Sequence, residues 1–419
     1  MIPRDLLLNR FRTAVAAVEP AAAVRAHLSL SGQTLRCDGW THQLRGRVVV
    51  IGAGKASAPM AQAVETLLGA QLSGGVVVVK YGHTAPLTRI RLHEAAHPVP
   101  DAAGEGGAAA IEVAVRGLTA DDLVICCLSG GASALLPAPR APLTLADKQT
   151  VTKLLLASGV DIHAVNTVRK HLSRLKGGRL ALACAPATVL TLAISDVTGD
   201  DLSVIGSGPT AADPSTDAEA LAIIQRHLDP ARIPMSVLTA LAENLPWTPK
   251  PGDPALAKVH HAIIASNQLA LDAIDADVVG DALSGEAWQA AERFCVHAMR
   301  LPPGTLLAAG GETTVTLGDN SGNGGRNQEF ALAAARWIAQ HQAPLTLLAG
   351  GTDGNDGPTD AAGGVVDGGT WQRAIAAGLD PSQHLARHDA YPLLKATGDL
   401  VVTGPTNTNV MDLALALRM

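Results

Sequence analysis

Short apolar runs separated by helix-compatible stretches recur along the first half of the chain. Residues 47–51, RVVVI, form a β-branched run between Gly46 and Gly52, and residues 56–68 then read as a helix. The same reading predicts strands at 76–79, 123–128 and 188–194, with a helix at 108–115. Strands alternating with helices argue for a parallel sheet wrapped on both faces, because crossover connections return the chain in the same direction. The stretch 244–254, NLPWTPKPGDP, holds four prolines in eleven residues and cannot form a regular element, so it serves as the expected domain boundary. A second α/β pattern follows, with strands expected at 259–265, 305–309, 313–317 and 345–349 and helices at 287–299 and 328–340. The expected organisation is an N-terminal domain over 1–243, a linker over 244–254 and a smaller C-terminal α/β domain over 255–419.

A chain of 419 residues that is 47% hydrophobic and 17% charged has enough apolar material for a packed core in more than one domain. Aromatic residues are only 2%, so the core must be aliphatic and base stacking has little to work with. Lys plus Arg number 32 against 38 Asp plus Glu, a formal charge of −6, which offers no electrostatic footprint for nucleic acid or an anionic membrane. An anionic substrate must therefore be held by local groups. The five cysteines, Cys37, Cys126, Cys127, Cys184 and Cys295, show neither zinc spacing nor a disulfide framework and read as reduced, buried small residues. Asp5, Arg10, Arg12 and Glu19 interrupt the N-terminal stretch, which reads as an amphipathic helix and not a signal peptide. With no run near the roughly 18 apolar residues that span a bilayer, the cytoplasm is the expected compartment.

The first candidate motif is VVVIGAGKASAPMAQAVE, where Gly52 and Gly54 free the backbone at a strand end and Lys55 precedes a helix. It matches a dinucleotide fingerprint only in part: Ser57 stands where the third glycine would be, and the second strand ends in Lys80 instead of the acid that would hold a ribose hydroxyl. An ammonium beside exposed backbone N–H groups suits phosphate better. In LSGGASALL, a buried strand ends in Ser129, Gly130, Gly131 and Ser133, a pattern that lets successive amides converge on an anion. Lys170, Arg174, Lys176 and Arg179 cluster around a Gly-Gly pair, and Asp196, Asp200 and Asp201 crowd the loop after the next strand, supplying the hard oxygens that Mg2+ takes one or two at a time. The C-terminal half adds glycine-rich polar stretches carrying Glu312, Arg326, Asn327, Glu329, Asp353, Asp356, Asp360 and Asn409 near strand ends and helix starts. Ligands of open α/β sheets bind beyond the carboxyl ends of the strands, so these loops point to a shared ligand cleft.

The ordered set IGAGKA, HPVPD, LSGGASALL, SDVTGDD, GSGPT, GGET, GRNQE, GTDGNDGPTDAAG and TGPTNTNVMDL resembles the glycerate 2-kinase family whose C-terminal half is the MOFRL domain, from about residue 8 to the end. The resemblance implies a Rossmann-like N-terminal domain, a smaller α/β C-terminal domain and an active site in the cleft between them. It also implies ATP-dependent phosphorylation of D-glycerate to 2-phosphoglycerate, with Lys55 and Arg326 matching the family's functional lysine and arginine. Beside it, the motifs nominate Gly52, Gly54, Ser129, Gly130, Gly131, Ser133, Lys176, Arg179, Asn327, Glu329 and Asn409 for substrate and phosphate, and Asp196, Asp353 and Glu312 for Mg2+. A homodimer is a candidate assembly. Arg326 could serve the transferred phosphoryl group or grip the glycerate carboxylate with its fork. Asn407 stands where the family usually has glycine, and Asn tolerates the left-handed backbone a glycine would use. Two other readings stay open: an NAD(P)H-dependent hydroxypyruvate reductase, for which His97 is the candidate acid, and a nucleotide-binding module without turnover.

Overall fold

A computed structural model describes residues 3–280, 282–318 and 321–419. The chain divides into two compact units, Pro20–Ile264 and Met1–Glu19 with Ala265–Met419. The division differs from the boundary read at 244–254. The strand Val259–Ala265, beyond the proline-rich stretch, takes the edge place beside Thr188–Ile194 in the N-terminal sheet. The helix Pro3–Ala17 belongs with the C-terminal residues, because it buries Leu7, Phe11 and Ala14 against that unit's sheet, with Phe11 Cζ only 2.9 Å from where a Cβ on Gly350 would stand. A proline-rich segment is irregular, but irregularity alone does not end a sheet.

In the unit Pro20–Ile264, the six-stranded sheet runs in the spatial order Ile90–Ala95, Gly74–Lys80, Val48–Ala53, Leu123–Leu128, Thr188–Ile194, Val259–Ala265. The first five strands pair in parallel. Val48–Ala53, Leu123–Leu128 and Thr188–Ile194 are buried at every position, as strands covered on both faces should be, whereas the edge strand Ile90–Ala95 is only partly covered. Counted from Val48–Ala53, the strand order is 3-2-1-4-5-6, so the chain reverses direction across the sheet between Val48–Ala53 and Leu123–Leu128. The carboxyl ends of those two strands form the switch point where doubly wound sheets take ligands. Beside the sheet stands a cluster of helices, Leu145–Ala157, Ile162–His171, Asp217–His227 and Met235–Ala242, with its own aliphatic core around Val151, Val168, Ile224 and Val237.

The second unit holds a six-stranded sheet in the order Val278–Val279, Leu306–Gly311, Asp412–Arg418, Leu345–Gly351, Gly363–Val366, Leu400–Val401. Its central strand is the last of the chain and pairs antiparallel with both neighbours, and the parallel pairing of Val278–Val279 with Leu306–Gly311 makes the sheet mixed. The expected strand at 313–317 does not form. Val278–Val279 and Asp412–Arg418 already flank Leu306–Gly311, leaving Thr314 only a single bridge to Glu286. Helices Ala287–Arg300 and Arg326–His341 pack an alanine-rich face onto this sheet, with Phe294 edge-on to Phe330 at 6.0 Å.

Candidate functional site

At the switch point the two strand ends are tied by backbone. Ser129 N donates to Ala53 O (3.1 Å) and Lys55 N donates to Gly130 O (2.9 Å). The approach is so close that a Cβ at Gly54, where φ is +139°, would lie 2.0 Å from Ser129 Oγ, and one at Gly52 would strike Cys127 O. The Ser129 hydroxyl accepts Ala56 N at 3.0 Å and so staples the two turns together. Among the described residues the amides of Gly130 and Gly131 have no hydrogen-bond partner. Asp196, carried just past Thr188–Ile194, packs against Gly130, its Oδ2 2.1 Å from where a Cβ on that residue would be. Ser133 Oγ bonds Ser207 Oγ (2.7 Å), which donates to Asn166 Oδ1 (3.0 Å), a buried hydroxyl chain leading away from the turn.

Lys55 and His97 flank Gly131, with Lys55 Cγ 3.5 Å and His97 Cδ2 3.2 Å from where its Cβ would stand. Burial, and then the nearby cations Lys55, Lys80 and Arg169, push the His97 imidazole down to about 4, so it is neutral at pH 7. Lys176 is 1% exposed, and its Nζ has no hydrogen-bond partner among the described residues. Arg179 is engaged elsewhere: it donates to Trp247 O at 2.6 Å and its guanidinium lies 3.8 Å from the centre of the Trp247 ring, holding the proline-rich stretch in place. Beneath these loops His171, fully buried, hydrogen-bonds Asp217 Oδ1 (2.7 Å) and Ser215 Oγ (3.1 Å), with Asp213 Oδ2 at an ion-pair distance of 3.2 Å. Burial alone would lower that imidazole, but the two carboxylates prevail and raise it. Sequence reasoning missed this network, whose residues look like ordinary helix-end polar positions.

In the other unit, Arg326 opens the helix Arg326–His341 and spends its planar fork on Asp412: Nε to Oδ2 at 2.6 Å and Nη2 to Oδ1 at 3.1 Å. Its Nη1 meets Glu312 Oε1 at 2.5 Å, so Glu312 faces a guanidinium in this arrangement. Asp412 is 2% exposed and went unnoticed in the sequence; the available signal was an acid placed just before the apolar run LALAL. Asp356, buried beside this pair, accepts Asn327 N (3.1 Å) and Gln328 N (2.8 Å) at the helix start. Burial first, and then Asp412, raise its carboxyl to about 7. Glu329 Oε2 bonds His388 Nδ1 (2.7 Å), and Asn409 Oδ1 accepts Met411 N (3.1 Å), so both serve internal structure. Asp353 Oδ1 accepts Asn355 N (3.1 Å) in a turn whose backbone also receives Thr406 N. Asn407 adopts φ +60°, the left-handed conformation expected for it.

All five cysteines are buried and unbridged. Among the described residues no helix is long and apolar enough to cross a membrane, and no three His, Cys, Asp or Glu side chains gather as a metal cage.

Residues 6–242 match the family described as Domain of unknown function (DUF4147), and residues 305–412 match the MOFRL family. An Agrobacterium vitis protein provisionally named hydroxypyruvate reductase is 45% identical over 430 residues, spanning 99% of this chain and 94% of its own. A Pyrococcus horikoshii protein named Glycerate 2-kinase is 38% identical over 431 residues, spanning 99% and 97%. The crystal structure of glycerate kinase from Thermotoga maritima matches with a TM-score of 0.85 at 36% identity, covering 99% of both chains. With matches of that extent across both halves, the chain belongs to the glycerate kinase family with a C-terminal MOFRL domain.

Proposed function

We propose that this protein transfers the γ-phosphoryl group of ATP to the 2-hydroxyl of D-glycerate in a Mg2+-dependent reaction, giving 2-phosphoglycerate and ADP. The observation that carries the reading is the pair of unbonded amides at Gly130 and Gly131, beside Lys55, at the switch point of the parallel sheet. Two unbonded N–H donors in succession and an ammonium fit a phosphoryl group, whose charge spreads over its equatorial oxygens in the transition state. Lys55 neutralises that charge while the amides fix its position. Arg326, held in a fixed orientation by Asp412, is the second cation we assign to the reaction.

Mg2+ takes one or two carboxylates and completes its shell with water and phosphate oxygens, so the donors here suit it without an all-protein cage. Asp196, packed against Gly130, is the carboxylate we assign to it; of the two sequence candidates in the other unit, Asp353 and Glu312, the second is the less favoured because it faces Arg326. When bound, the ion supplies charge neutralisation between phosphate groups.

The names of the Agrobacterium vitis relatives favour a second reading, reduction of hydroxypyruvate by a nicotinamide cofactor. Lys80 at the end of the second strand and a His97 that is neutral at pH 7 both weigh against it. Parallel assays separate the two: consumption of D-glycerate with Mg2+ and ATP, abolished by EDTA, is expected, and oxidation of NADH or NADPH by hydroxypyruvate with no ATP-dependent turnover would reverse the assignment.

A further inference from the structure

We propose that Lys148, Arg169 and Lys176 form a pocket for one oxyanion, either the carboxylate of the hydroxy acid or a phosphate of the nucleotide, adjoining the Gly130–Gly131 turn. The three cations come from different segments: Lys148 from the helix Leu145–Ala157, Arg169 from the helix Ile162–His171, and Lys176 from the loop before Arg179–Cys184. Both lysines are buried, at 5% and 1% exposure. Lys148 Nζ donates only to Leu172 O at 3.3 Å, and Lys176 Nζ to nothing among the described residues.

Carboxylates are close at hand but serve other cations. Asp213 pairs with Lys170 and His171, Asp217 with Arg140 and His171, and Glu112 with Arg174. Among the described residues none pairs with Lys148, Arg169 or Lys176. Burying an ammonium with no counter-charge is among the costliest arrangements a fold can hold, and it is relieved either by losing the proton or by taking in an anion. The pocket adjoins the phosphate turn: Gly177 N donates to Ser207 O, and Ser207 is bonded to Ser133, two residues past Gly131. Burial, then Arg169 and Arg174, push Lys148 down to about 7, and burial, then Lys148 and Arg169, push Lys176 well below its ordinary range. The groups facing the pocket are therefore cationic or already paired, and an incoming anion restores protons to the lysines.

The existence of the pocket does not depend on the kinase reading; only the assignment of its occupant to a substrate does. Titration calorimetry of the full chain at pH 8, with inorganic phosphate, D-glycerate and ATP as separate probes and two buffers of different ionisation enthalpy, tests it. Binding is expected to take up protons, and Lys148→Met and Lys176→Met are expected to weaken it at least ~10-fold, while Lys153→Met, on the exposed face of the same helix, leaves it unchanged. Uptake with D-glycerate alone identifies the carboxylate as occupant; uptake only with phosphate and ATP identifies a phosphate. Absence of proton uptake by the wild-type chain overturns the proposal without recourse to any variant, as does unchanged affinity in both folded lysine variants. Intact anion binding without ATP-dependent turnover would overturn the kinase reading and leave the pocket standing.

Discussion

The Nε–Nη2 edge of the Arg326 guanidinium is engaged by Asp412 and its Nη1 by Glu312. Of the two roles open to Arg326 from sequence, gripping the glycerate carboxylate is therefore the weaker. The expected result for Arg326→Lys is a fall in kcat with little change in KM for glycerate, because the charge stays but its orientation is lost. Arg326→Ala also leaves the buried Asp412 unpaired and should cost about 3 kcal/mol of stability, measurable by denaturant unfolding. That cost was hidden in the sequence, where Arg326 looks like a surface residue in a polar glycine-rich run and its partner lies 86 positions away. Lys55→Ala should lower kcat on the order of 10²–10³, and near-normal turnover in the folded variant would mean that Lys55 does not act on the phosphoryl group.

Elements built from largely apolar runs were legible, since Leu123–Leu128, Thr188–Ile194 and, despite its two histidines, Val259–Ala265 occupy the stretches their patterns indicate. The last strand, Asp412–Arg418, was not, although residues 413–417 are apolar: nothing local shows that the chain's final residues fill the centre of a sheet. The cluster of helices from Leu145 to Ala242 was missed for a related reason. Its faces are fixed by packing against one another, and periodicity in Leu145–Ala157 is weakened by the buried polar Lys148 and Thr152. The turn around Gly54 was legible because two strand-end glycine motifs announced a close approach, and the structure gives it a magnitude. Gly54→Ala forces the strand ends apart, for which a loss of about 2 kcal/mol and a melting temperature lower by about 5 °C are expected. Phosphoryl transfer should fall with it. An alanine variant that melts and turns over like the wild type would contradict the tight junction between the two strand ends.

At the scale of the molecule, the two α/β units and the parallel order of the first could be inferred from alternation alone, but their membership could not. Contacts of Phe11 and its neighbours, not chain position, assign the first helix to the C-terminal unit. Chemistry was legible as residue types at strand ends, whereas the internal partners of Glu329, Asn409 and Arg179 required coordinates. What the whole chain does reduces to whether a phosphate ester forms, and at which carbon. Phosphorus NMR of a reaction containing the purified protein, D-glycerate, ATP and Mg2+ tests this directly. The account predicts ADP and a single new monoester on carbon 2, both lost when Mg2+ is chelated. A product phosphorylated only on carbon 3 would contradict the assigned acceptor hydroxyl, and ATP left intact while NADH is oxidised by hydroxypyruvate would contradict the account as a whole.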